Sequence, residues 1–123
     1  MAFEVLRSAA ADADLEVIFD FLVEAALAFG IDEASALDQA ARRLRQIEDD
    51  MAGLGAAPHQ GTLRQDLAAG LRSVTKNRAI FYFDVVEEAE LVRILAVFFG
   101  GQDHQRHMLL RLLGRGTGAR PEE

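Results

Sequence analysis

The sequence predicts an α+β fold made of an N-terminal strand, a helical hairpin, a three-stranded antiparallel meander and a short C-terminal helix. Three observations predict it. Apolar residues recur at spacings of three and four between residues 11 and 51, β-branched and aromatic residues concentrate between 70 and 107, and glycines mark the breaks between these patterns. A helical first half followed by a strand-rich second half sets the helices on one side of an antiparallel sheet. The other sheet face is expected to be open.

Taken in order, residues 3–6 are short, apolar and β-capable, too few for a helix, and read as an edge or central strand of the later sheet. From Ala11 onward, Leu15, Ile18, Phe19, Leu22, Ala26 and Phe29 lay one apolar stripe along a helix. Asp12, Asp14, Glu16 and Asp20 load its N-terminal half with the sign that the helix dipole favours. Gly30 stands where a C′ glycine belongs and Asp32 where an N-cap belongs, so a second helix follows a tight turn. There Leu37, Ala40, Leu44, Ile47 and Met51 alternate by three and four, with Arg42, Arg43, Arg45, Glu48 and Asp49 outward.

Residues 53–70 hold four of the ten glycines, Pro58 and His59 without a sustained period, and read as a loop with a short helical turn at 63–68. Strands follow at 71–76, 79–86 and 91–99, joined by the polar turn Lys76, Asn77, Arg78 and the charged connection Glu87, Glu88, Ala89, Glu90. Strict alternation along the last strand puts Arg93 on the face of Leu91, Leu95, Val97 and Phe99. Gly100 and Gly101 end that strand, and Met108, Leu109, Leu112 and Leu113 group on one side of a terminal helix at 102–113. The 123 residues suit one domain, 1–113, with a flexible tail at 114–123.

Half the residues are hydrophobic and 27% are charged, a globular balance. The absence of cysteine excludes disulfides, thiolate metal sites and thiol nucleophiles, and suits a reducing, cytoplasmic compartment. No leader pattern and no apolar run near the roughly 18 residues of a membrane span occurs, so no membrane partner is expected. The net charge of −7 is unevenly spread: residues 1–58 carry 12 acidic and 4 basic side chains, whereas 59–123 carry 8 and 9 together with all three histidines. The global field opposes strong direct nucleic-acid binding, while the arginines of the second half can accept an anionic partner locally.

Three stretches then carry a resemblance. Ala11-Asp12-Ala13-Asp14-Leu15 with Ile18 and Asp20-Phe21-Leu22, the pair Gly70-Leu71-Arg72-Ser73 and Arg78-Ala79-Ile80-Phe81-Tyr82, and the run ILAVFFGGQD from Ile94 occur in that order. Together, across residues 3 to 105, they resemble the first helix, middle strands and final strand of the RelE/ParE superfamily of type II toxin-antitoxin toxins, on its ParE-like, plasmid-stabilisation side. The resemblance implies a small α+β toxin neutralised by a cognate antitoxin, with RelE-like members cutting mRNA on the ribosome and ParE-like members poisoning DNA gyrase. Ribosome-dependent members commonly offer an arginine on the final strand and a histidine or tyrosine at its turn, and aligning residues 100–103 with that turn puts Ala96 and Phe99 there. Metal-independent RNA cleavage needs a group to take the 2′-hydroxyl proton and cations for the phosphorane. The chain is therefore read as a binding inhibitor of DNA gyrase without cofactor or metal. A ribosome-dependent endoribonuclease and a non-toxic antitoxin-binding domain are the alternatives.

Under the nuclease alternative the catalytic candidates are Arg72, Arg78, Arg93, His104 and His107, and the candidates for contact with target or antitoxin are Arg72, Lys76, Arg78, Tyr82, Arg93, Phe99 and Arg106. Plainer readings stand beside them: Arg72 as an exposed strand arginine, 76–78 as a solvated turn, Tyr82 as a core tyrosine with its hydroxyl bonded, and Phe98 and Phe99 as core. Asp103, His104 and His107 form the most suggestive local cluster, because histidines three apart share a helix face. They would close a zinc site only if His59 joined them.

Overall fold

A computed structural model of the chain describes residues 2–100 and 104–118, with side chains as far as Gly114. Strand β1 (Glu4–Arg7) leads into helices α1 (Ala9–Ala28) and α2 (Glu33–Ala52). A 3-10 turn (Gly53–Ala56), β2 (Thr62–Leu63), β3 (Arg72–Lys76), β4 (Ala79–Val86), β5 (Leu91–Phe99) and α3 (His104–Gly118) follow. The strands form one sheet in the order β1-β5-β4-β3-β2, antiparallel except for β1, which runs parallel to β5 at the edge. This is the expected α+β architecture with one strand added.

Local chemistry sets the boundaries. α1 starts where the Ser8 hydroxyl oxygen accepts the Ala11 N–H, and α2 where the Asp32 carboxylate accepts that of Ser35. Gly30, at φ +89°, turns the chain between them. β3 and β4 are joined by Asn77 and Arg78, both at positive φ, the geometry whose twist suits a two-residue hairpin.

The core has two parts, one on each sheet face. Ala11, Leu15 and Ile18 of α1 and Ile47 and Met51 of α2 pack on Phe81, Phe83, Val92, Ile94 and Val97. On the opposite face Leu71, Ile80, Tyr82, Ala96 and Phe98 pack with Met108 of α3. The second face is therefore covered rather than open, because Met108 and Leu112 give α3 an apolar side that it buries there.

Several expectations change. The short turn expected at 63–68 is present, with Leu67 and Ala68 both donating to the Arg64 carbonyl, but it starts after Leu63, which pairs with β3 together with Thr62. Gly61 permits that pairing, since a Cβ there would overlap the Ser73 carbonyl oxygen. Phe29, placed on the buried stripe by its spacing, is 88% exposed, because α1 ends at Ala28 and the turn carries the ring off the hairpin seam.

β5 carries a bulge, in which Tyr82 pairs with Ala96 but Phe83 pairs with Ile94, leaving Leu95 extra. The bulge reverses the alternation, so Arg93 lies on the α3 side of the sheet, opposite Val97 and Phe99. The terminal helix continues to Gly118, into the expected tail, and residues 119–123 and Asp103 lie outside the described residues.

Candidate functional site

Polar side chains gather in three places around the sheet. The first is beneath α3. Tyr82 lies on this face of β4, fully buried, with its hydroxyl 2.7 Å from Nδ1 of His104 at the start of the helix. Phe98 meets Tyr82 edge-on, and His107 stacks on Phe98 with ring centroids 5.8 Å apart. The two histidines share a helix face, as their spacing requires, and that face makes aromatic contacts. His59 does not join them: it pairs with Glu87 and meets Phe3 edge-on. Among the described residues, no three metal-ligating side chains converge.

The second place is the bulged edge of β5. The Val97 N–H donates to the Asp14 carboxylate of α1 at 2.9 Å, and Arg111 of α3 grips the same carboxylate through two hydrogen bonds of 2.9 Å. Arg111 also reaches the Leu95 carbonyl and lies over the Phe98 ring. The pair is largely out of water, with side-chain exposures of 27% for Arg111 and 12% for Asp14. The hydrogen bond to Asp14 outweighs desolvation and raises the Arg111 pKa. Helices on opposite faces are thus fastened to each other around the sheet edge.

The third place is the β3-β4 turn. Arg78 and Arg43 of α2 hold their guanidinium carbons 5.6 and 5.5 Å from the centroid of Phe99. Arg43 also donates to the Asn77 carbonyl, and the Asn77 side-chain amide donates to Asp50 at 2.7 Å, which ties the turn to α2.

The remaining candidates are scattered. Arg93 makes a two-pronged contact with Asp84 at 2.8 and 2.7 Å, and that contact raises its pKa. Arg72 donates to the His59 carbonyl, Lys76 ends β3 beside the turn, and Arg106 is on the exposed side of α3. Of the catalytic candidates, Arg72 lies on β3, Arg78 at the β3-β4 turn and Arg93 on β5, while His104 and His107 lie on α3. Of the contact candidates, Tyr82 is fully buried and Phe99 is 8% exposed, each completing one of the two cores.

Sequence reasoning missed four charged residues: Asp14, Arg111, Arg43 and Arg64. Arg64 sits under the loop, held by Asp66, with a smaller electrostatic contribution from Tyr82 raising its pKa further. A signal existed for Asp14, which falls on the same stripe as Ala11, Leu15 and Ile18 and so needs a partner. Arg111 falls likewise one turn after Met108. Nothing local marks Arg64.

No protein-family model matches the sequence, and no curated relative matches it. Solved structures do match in fold. The toxin-antitoxin complex RelBE2 from Mycobacterium tuberculosis gives a TM-score of 0.57 at 19% identity, over 83% of this chain and 95% of that one. The chromosomal ParDE system from P. aeruginosa gives 0.61 at 20%, over 80% and 96%. The chain has the RelE/ParE toxin fold. A mutant of the E. coli toxin RelE in the free state shares this RelE/ParE fold with a TM-score of 0.56 at 9% identity, over 92% and 99%. At such identities the RelE/ParE likeness is one of element order and sheet topology.

Proposed function

We propose that the chain is the toxin of a type II toxin-antitoxin pair, acting in the cytoplasm by binding and inhibiting a cellular target and held inactive by a cognate antitoxin. The toxin role is supported by the fold shared with RelE and with the toxin-antitoxin systems RelBE2 and ParDE. Of the two targets the resemblance implies, DNA gyrase fits better than the ribosome. The observation that carries this choice is that Arg93 is held by Asp84 and Tyr82 is buried against His104. In the alignment that the resemblance implies, Ala96 and Phe99 stand where a nuclease would place titratable groups. Inhibition by docking needs none of them to move protons.

Induced expression, followed by plasmid topology analysis and mapping of mRNA 5′ ends, tests the reading. Growth arrest with altered supercoiling and intact messages is the expected result. Codon-positioned cuts would move the assignment to the endoribonuclease. Normal growth would leave a domain that serves only an antitoxin.

A further inference from the structure

We propose that the groove between the C-terminal half of α1 and the β3-β4 turn docks an amphipathic, acidic segment of a partner protein. The groove has a volume of about 430 Å³, with Phe21, Leu22 and Ala26 along an apolar wall, Phe29 at its mouth, and Arg43 and Arg78 beside Phe99 at one end. Each half of this surface is unusual on its own, and together they define one ligand.

The apolar half presents two aromatic rings, Phe21 at 55% and Phe29 at 88% exposure, on one concavity. Scattered apolar residues need no explanation, but two phenylalanines lining one groove make a patch of the kind that partners cover. The cationic half holds two like charges over a single ring. Arg7, Arg42, Arg64, Arg93 and Arg111 each have a carboxylate within ion-pair distance, whereas among the described residues Arg43 and Arg78, like Arg45 and Arg72, have none, and only Arg43 and Arg78 share one ring. Asp50, close to the same turn, is engaged by Asn77.

In a chain of net charge −7, two neighbouring guanidiniums left without a carboxylate are receptive to an anion from outside. Their stacking on Phe99, and the Arg43 bond to the Asn77 carbonyl, hold them in place before a ligand arrives. A peptide with spaced apolar side chains and a nearby Asp or Glu satisfies both halves. A nucleic-acid strand would meet the arginines but would leave the aliphatic wall of Leu22, Ala25 and Ala26 uncovered.

The segment's source as an antitoxin rests on the toxin reading above, while the groove itself is tested with the purified chain alone. Short displayed peptides are selected on the wild-type protein, and their binding is then measured by fluorescence polarisation on Phe29→Ser and Arg78→Gly. Neither variant removes a buried group, and glycine suits the positive φ of position 78. The selected peptides are expected to combine apolar residues with a carboxylate and to lose about tenfold or more in affinity on either variant. No enrichment, or binding unchanged by both variants, overturns the proposal. So does a single-stranded oligonucleotide that outcompetes the peptides and is insensitive to Phe29→Ser. A non-toxic chain that still selects such peptides keeps the groove and sinks the toxin reading. A toxic chain whose co-purifying neighbour-gene product binds both variants unchanged does the reverse.

Discussion

The two faces of the sheet are held by different physics. Under the hairpin, α1 and α2 bury a continuous aliphatic and aromatic cluster against Phe81, Phe83 and Ile94. Under α3 the cluster is smaller and polar contacts complete it, with Arg111 on Asp14 and Tyr82 on His104. Apolar burial is non-directional and spread over many residues, whereas a clasp depends on one carboxylate and a few hydrogen bonds. The hairpin face can separate only with the whole fold. α3 can loosen while the rest stays folded, as elements with few buried contacts do.

The largest expected effect lies on the hairpin side. Phe83→Ala should cost about 4 kcal/mol in urea unfolding and lower the single cooperative transition as a whole. A loss confined to α3 would break the comparison. Asp14→Asn comes next: it keeps an acceptor for the Val97 N–H but removes the charge from Arg111, for a loss of about 2 kcal/mol. Hydrogen exchange should then speed up in α3 and stay unchanged in β4, and equal acceleration in both would make the two faces one unit. The smallest effect is a gain. Arg78→Gly relieves a left-handed residue at φ +71° and should add at most about 1 kcal/mol, offset in part by the lost stacking on Phe99. Because β4 contributes to both clusters, thermal unfolding should report that gain on both sides equally.

The same division separates what is legible in the sequence from what is not. The hairpin side is written locally: the Asp32 cap, the Gly30 turn and the three-four spacing of α2 are each decided within a few residues. Leu37 is the exception, left half in water because Ala36 takes the inward position beside it. The α3 side depends on distant pairs. Asp14 and Arg111 are separated by 97 positions, and their signal is a charge on each of two inward-facing stripes. The bulge at Leu95 has no glycine to announce it, yet it decides which face Arg93 occupies. The resemblance to toxins carried the element order correctly but left the site open, since Ala96 and Phe99 are both core.

The parallel edge pairing sets a timetable for making the molecule. Glu4 pairs with Leu91 and Arg7 with Ile94, so the first strand synthesised must wait for the last. α1 and α2 are contiguous and can pack on each other early, whereas β1 and β5 pair residues as far apart as Glu4 and Leu91, and their joining belongs among the late steps. A ribosome paused before Leu91 therefore carries a hairpin with an unpaired strand ahead of it. The sheet becomes five-stranded only when the final strand has cleared the exit tunnel.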